Sequence, residues 1–120
     1  MKKQNETITP HKDGDLFARA TPVEDGIWMN GFYENYVFEA KIRNDRLFDG
    51  INGGRVTNLI VTALYYTDDN SFRSEIARYC GEWNVRPRDS WAIEKIDALV
   101  SLLDDSPHQQ AYSSNRKQTA

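Results

Sequence analysis

The sequence predicts an α+β domain, in which a small antiparallel sheet of about four strands carries one C-terminal helix on a face. Three observations lead to this prediction. Residues 36–43 alternate between apolar and polar side chains, which is the period of a half-buried strand. Residues 55–66 carry β-branched and aromatic side chains on both faces, which is typical of a central strand. Residues 90–105 repeat apolar side chains at helical spacing.

The other elements follow from weaker patterns. Residues 26–32 predict a first strand, and residues 34–35 predict the turn after it. Residues 72–83 fit either a helix with an apolar stripe or a strand, and a strand is favoured. The helix is expected to begin after a cap at Asp89 or Ser90, because both side chains can accept a hydrogen bond from a free backbone N–H group.

Length and charge limit the organisation of the chain. Its 120 residues suffice for one domain. We expect a flexible N-terminal arm at residues 1–22, an α+β domain at residues 23–105 and a flexible C-terminal tail at residues 106–120. Residues 24–105 carry nine basic and fifteen acidic side chains, so the predicted folded part is acidic. An acidic body suits a basic protein surface better than it suits duplex phosphate.

The compartment is predicted from three further features. Cys80 is the single cysteine, so no intrachain disulfide can form, which fits a reducing environment. The first twenty residues lack the apolar core of a signal peptide, and no apolar run reaches the length of a membrane span. We therefore expect a cytoplasmic protein without a membrane partner.

The glycine-rich segment at residues 49–55 reads Asp-Gly-Ile-Asn-Gly-Gly-Arg and ends at Arg55. One interpretation is a tight turn with a bulge between two strands. The other is an anion site, in which successive backbone N–H groups and Arg55 surround a phosphate-like ligand. The spacing matches neither a P-loop nor a G-x-G-x-x-G loop, so the turn is favoured.

No group of side chains predicts catalysis. His11 and His108 lie far from any partner at metal-ligand spacing, and Cys80 is typical of a small buried apolar residue. Asp68 and Asp69 are more typical of a solvated loop than of a cation site. We therefore expect no enzyme activity, no cofactor and no metal.

Aromatic side chains beside arginines are the usual anchors of protein interfaces. Trp83, Arg86, Arg88 and Trp91 surround the loop that leads into the predicted helix. We predict a partner-binding surface at this corner. Further predicted contact residues are Tyr33, Arg55, Tyr66, Asp68 and Asp69. Alternatively, both tryptophans fill the core between helix and sheet, and an exposed edge strand also leaves a homodimer open.

Several of these residues form one longer pattern. It consists of Trp28, Gly31, Tyr36-x-Phe38-x-Ala40-Lys41, then Gly50-Ile51-Asn52-Gly53-Gly54-Arg55-Val56, and finally Tyr79, Gly81 and Trp83. This pattern, over about residues 26–104, resembles an uncharacterised family of short proteins from low-GC Gram-positive bacteria and their phages. The longer loop at residues 65–74, Cys80 and Glu82 depart from it. The resemblance implies a small sheet-plus-helix domain carried by mobile elements, and it offers no catalytic residues.

These observations support two main hypotheses. The first is a phage or mobile-element accessory protein, in the host cytoplasm, that binds and inhibits or modulates a host protein. We expect this host protein to be a nuclease that handles nucleic acid, for example a CRISPR effector. The protein would then be an anti-CRISPR. The alternative is a single-stranded nucleic-acid-binding module that uses the arginines and aromatic side chains of residues 72–91. An enzyme that uses the loop at residues 50–55 on a phosphate-bearing small molecule ranks third.

Overall fold

The computed structural model describes residues 14–66 and 68–107, without the side chains of Tyr65 and Tyr66. Most of the predicted arm and tail therefore lies outside the described residues, as does the side chain of Tyr66, a predicted contact residue. Within the described part, the single helix is too short and too polar to cross a membrane.

In the described part of the chain, six antiparallel strands follow one another across the sheet in the order in which they occur along the sequence. They are β1 (Leu16–Val23), β2 (Gly26–Tyr33), β3 (Tyr36–Arg43), β4 (Val56–Tyr66), β5 (Ser71–Cys80) and β6 (Trp83–Val85). One helix, α1 (Ser90–Asp104), packs on one face of this sheet. The structure confirms the predicted α+β architecture with one C-terminal helix, but the described residues form six strands rather than about four.

The first additional strand, β1, lies almost entirely within the segment that the sequence analysis assigned to the arm, residues 1–22. Its signal is weak because Ala18 and Ala20 are small and Pro22 cannot donate a ladder hydrogen bond. Proline is tolerated here because β1 is an edge strand. β1 pairs with β2 along its whole length, so Leu16 is the first residue of the sheet within the described residues.

The ambiguous segment at residues 72–83 forms a strand, as favoured, and not a helix, but this strand ends at Cys80 rather than near Trp83, and Trp83 begins β6. The pairing of β4 with β5 shifts by one residue, and Ile76 is the extra residue of this bulge. The bulge interrupts the two-residue alternation, which is why the segment resembled a helical stripe. The chain then reverses at Gly81, whose φ of 75° favours glycine, and continues into β6.

The core lies between one face of the sheet and one side of α1. Among its largest fully buried side chains are Ile27, Phe38, Ile42, Leu59, Leu99 and Leu103. The predicted helical stripe is buried, apart from Ile93, which is exposed. Burial of this apolar area supplies the main stabilisation of the domain, at roughly 25 cal/mol per Å².

The glycine-rich segment forms a compact loop between β3 and β4, with a 3₁₀ turn at Ile51–Gly53. The amides of Gly50, Gly53 and Gly54 each donate to a carbonyl inside the loop. The register of β3 with β4 shifts by one residue at the base of this loop. The interpretation as a turn with a bulge is therefore correct, and three amides that would have surrounded an external anion are already used.

Arg55, at the end of this loop, is 8% exposed. Its Nε donates to the carbonyl of Arg43 at 2.7 Å. Its Nη1 donates to the carbonyls of Asp104 and Ser106, at 2.7 and 2.6 Å. The backbone N–H of Arg55 donates to Oδ1 of Asp104 at 2.9 Å. One residue thus joins the end of β3 to the C-terminus of α1.

This arrangement explains how α1 tolerates an acidic C-terminus. A carboxylate such as Asp104 opposes the helix dipole, and the guanidinium of Arg55 offsets it at the same helix end. Gly54 has no Cβ, and an added one would lie 2.6 Å from Oδ2 of Asp104. The loop therefore does hold an anion, and this anion is the carboxylate of Asp104 from the chain itself.

We predict that Arg55→Ala lowers the free energy of unfolding by about 3 kcal/mol, because buried carbonyls lose a charged donor. Urea denaturation of both proteins at neutral pH measures the difference. The matched control is Arg46→Ala, an exposed arginine of the same loop, which should change stability by less than about 0.5 kcal/mol. Equal effects of the two substitutions would contradict the role of Arg55.

Candidate functional site

The corner before α1 holds a cavity of about 230 Å³, which we call the Trp83 cavity. Its lining combines apolar side chains from the glycine-rich loop and from α1 with three polar ones. The lining residues are Ile51, Asn52, Trp83, Arg86, Pro87, Ile93, Ile96, Asp97 and Val100. Two of the predicted contact residues, Trp83 and Arg86, therefore meet at one concave site.

Trp83 is half-buried, so it both packs against the core and lines the cavity. Its ring meets the ring of Tyr79 edge-on, with centroids 5.0 Å apart. The guanidinium carbon of Arg86 lies 5.7 Å from the centroid of the Trp83 ring, which is a cation–π arrangement. The hydroxyl of Tyr79 donates to the carbonyl of Asp49 at 2.8 Å, and burial raises the pKa of Tyr79, so this donor keeps its proton.

The exposed charged side chains of α1 itself are both carboxylates. The exposed acidic residues in and next to α1 are Asp89, Glu94, Asp97 and Asp105. Lys95 is the single basic residue of the helix, and its Nζ pairs with Oε1 of Glu34 at 2.8 Å. The Trp83 cavity therefore opens beside an acidic surface, and Asp97 belongs to both.

Trp91 lies at a different site from Trp83. It is 43% exposed and stacks on Tyr36, with ring centroids 6.3 Å apart. It lines a second cavity of about 240 Å³, together with residues of the β2–β3 turn and of β4. Trp91 and Ile93 are two residues apart on a helix, so they point to roughly opposite sides. The predicted single cluster is therefore two separate sites.

Glu34 lies in the turn between β2 and β3 and lines the second cavity. Its Oε2 accepts hydrogen bonds from Nζ of Lys95 at 3.0 Å and from the amide of Gly14 at 2.7 Å. Burial alone would raise the pKa of Glu34, but the hydrogen bonds from Lys95 and Gly14 outweigh burial and hold the pKa below its ordinary value. Glu34 therefore ties the sheet to α1 as a carboxylate.

The other predicted contact residues do not join either cavity. Tyr33 is 3% exposed and belongs to the core, and Arg55 is buried at the end of α1, so neither presents a surface to a partner. Arg88, Asp68 and Asp69 are exposed, but none of them lines a described cavity.

The face of the sheet opposite α1 carries exposed aromatic rings that the sequence analysis missed. Phe17 and Phe32, 46% and 40% exposed, stand directly opposite each other on β1 and β2. Trp28 lies on the same face of β2 and is half-buried. The spacing of Trp28 and Phe32 on one strand was a usable signal, but Phe17 could join them only once β1 was known.

By its strand register, this face also carries more cations than carboxylates. The cations are Arg19, Lys41, Arg43, Arg73 and Arg78, and the carboxylates are Glu39 and Glu75. Nε of Arg78 donates to Oε1 of Glu75 at 3.0 Å, and Nη2 of Arg78 donates to Oε2. These hydrogen bonds lower the pKa of Glu75. Nη2 of Arg43 lies 3.9 Å from Oδ2 of Asp25.

Three cations of this face, Arg19, Lys41 and Arg73, make no ion pair with any residue that the structure describes. We call the surface formed by Phe17, Trp28, Phe32 and these cations the uncovered sheet face. Cys80 lies on it as well and is exposed, contrary to the expectation of a buried cysteine. Its Sγ accepts a hydrogen bond from Asn58 at 3.3 Å.

Comparisons with known proteins give no assignment. No protein-family model matches the chain. No curated protein and no solved structure matches it either. The resemblance to the family with the Gly-Ile-Asn-Gly-Gly-Arg block therefore stays a prediction. Among the described residues, no three His, Cys, Asp or Glu side chains come together as metal ligands, while His11 and His108 lie outside them.

The lowered pKa of Glu34 predicts acid-dependent stability. The carboxylate stabilises the fold fully above the ordinary pKa of 4.5, and this contribution is lost as the pH falls through the lower folded-state pKa. Glu34→Gln should cost about 2 kcal/mol at neutral pH and less at acid pH. Urea denaturation at both pH values measures this difference.

The control is Glu94→Gln, which removes an exposed carboxylate from α1. It should lower stability by less than about 0.5 kcal/mol at either pH. A cost of Glu34→Gln that stays constant from neutral to acid pH would show that the charge on Glu34 does not contribute.

Proposed function

We propose that the protein is a non-enzymatic binding protein that docks on a partner protein through the Trp83 cavity and thereby inhibits or modulates it. The observation that carries this proposal is the pairing of Arg86 with Trp83 at the wall of a concave site. Tryptophan and arginine are enriched among the residues that dominate binding energy. The cavity is smaller than the roughly 300–1,000 Å³ of small-molecule pockets, so it suits a side chain of a partner.

The charge around the cavity selects the kind of partner. Asp97 lines the cavity, and Glu94 and Asp105 lie on the same exposed side of the helix region. Such a surface attracts a basic protein and disfavours an acidic one. Nucleic-acid-handling enzymes carry basic surfaces where they neutralise phosphates. A host nuclease, for example a CRISPR effector, is therefore the proposed partner, in line with the resemblance to phage proteins.

A nucleic-acid track along residues 72–91 is less well supported. Arg73 and Arg78 lie on the uncovered sheet face, whereas Arg86 lies at the Trp83 cavity on the helix side. A single strand following this segment would have to pass from one side of the sheet to the other. The two groups of arginines are better assigned to two surfaces.

We predict that Arg86→Glu weakens partner binding by more than about thirtyfold, because it removes a central cation–π contact of the proposed interface. The measurement is an affinity pull-down from lysate of a bacterial host, with nuclease treatment, read by mass spectrometry. One stoichiometric protein should be retained by the original sequence and lost with Arg86→Glu. The nuclease activity of the captured partner should fall when the purified 120-residue protein is added to it.

Arg46→Glu is the matched control, since it makes the same charge change at an exposed arginine that does not line the cavity. It should retain the partner. If the Arg86→Glu and Asp97→Lys variants both retain the partner as well as the original sequence does, the interface lies elsewhere. Disappearance of all captured proteins after nuclease treatment would also contradict direct protein binding.

A further inference from the structure

We propose that the uncovered sheet face binds single-stranded nucleic acid, DNA or RNA, at a surface separate from the Trp83 cavity. The proposal rests on the aromatic rings and cations that β1 to β5 place on one side of the sheet. It does not depend on the proposed protein partner, which docks on the other side.

The aromatic rings are spaced along the face so that more than one base can stack. Phe17 and Phe32 are direct neighbours across β1 and β2. Trp28 lies four residues from Phe32 on the same strand, which separates the two positions by about 13 Å. Base–aromatic stacking is tolerant of sequence, because every base has a π face.

Two of the three aromatic positions have a cation close by. Lys41 stands directly opposite Trp28 in the pairing of β2 with β3. Arg19 lies two residues from Phe17 on β1, at a distance of about 7 Å along the strand. Neither cation is paired with a described carboxylate, so both can neutralise phosphates. Arg73 extends the row of cations towards the β4–β5 hairpin.

The charges also select against other occupants. Glu75 is held by Arg78, which leaves Glu39 as the one carboxylate of the face that makes no ion pair with a described residue. A second copy of the chain packed on this face would place its cations against these cations. An apolar ligand would leave them without counter-charges. A single strand brings bases for the rings and phosphates for Arg19, Lys41 and Arg73.

The test is fluorescence anisotropy with labelled oligo(dT) and oligo(U), titrated with the full chain at increasing salt. We expect Phe32→Ala to weaken binding by about 5- to 150-fold, since one stacked base is lost. Arg19→Ala should weaken binding and reduce the slope of log affinity against log salt by about 0.7. Tighter binding of oligo(dT) would identify DNA as the preferred ligand, and tighter binding of oligo(U) would identify RNA. Both results support the proposal.

The two matched controls are Phe72 and Arg88, and Arg88 is an exposed residue of the loop that leads into α1. Phe72 is 52% exposed and alternates with Arg73, so it points to the other side of the sheet. Phe72→Ala and Arg88→Ala should bind oligo(dT) as the original sequence does. Thermal unfolding checks that each variant is folded.

A further experiment needs no substitution. Alkylation of the Cys80 thiol should slow when the oligonucleotide is bound, because this thiol lies on the same face.

Three outcomes would overturn the proposal. One is the absence of oligonucleotide binding at low salt. Another is equal binding of poly-glutamate, a polyanion without bases, which would show that charge alone is responsible. The third is a dimer that Phe32→Ala dissociates in analytical ultracentrifugation, because the face would then be an interface between two copies.

Discussion

The attachment of one helix to a wide sheet depends on Arg55. The C-terminal end of α1 carries Asp104 and exposes carbonyls that have no partner within the helix. Arg55 supplies a guanidinium to those carbonyls and a backbone N–H to the Asp104 carboxylate. At the other end of the interface, Glu34 holds Lys95. Polar contacts thus hold the helix at its C-terminal end and in its N-terminal half, in addition to the apolar stripe, and residues of the helix line the two cavities.

Among the described residues α1 covers one face of the sheet, which leaves the two sides chemically different. The helix side carries exposed carboxylates and the Trp83 cavity, whereas the other face of the sheet carries aromatic rings with an excess of cations. The negative charge of residues 24–105 is therefore an average over two unlike surfaces. Net charge alone argued against duplex nucleic acid and ranked a single-stranded ligand second, but local charge decides which ligand a surface attracts. The two proposed ligands can be tested separately for the same reason.

Periodic segments were predictable from the sequence because burial on one side imposes a period. This held for residues 36–43 and for the helix, whose buried side chains recur at helical spacing. It failed for β1, whose short side chains and Pro22 hide the alternation, and it was ambiguous for β5, where the bulge at Ile76 interrupts it. The role of Arg55 was not predictable either, because its partner Asp104 lies 49 residues away and only the folded chain brings them together.

The candidate sites show the same dependence on weak elements. Helix geometry separates Trp91 from Ile93 once the start of α1 is known, so this much was within reach of the sequence, although only the structure shows that Ile93 lines the Trp83 cavity. The uncovered sheet face was not, because Phe17 belongs to the strand that was missed. A strand whose outward side chains remain in solvent and whose inward ones are small shows little burial pattern. The exposure of the outward side chains weakens the signal of β1 in the sequence. The same exposure leaves its aromatic and basic side chains accessible to a ligand.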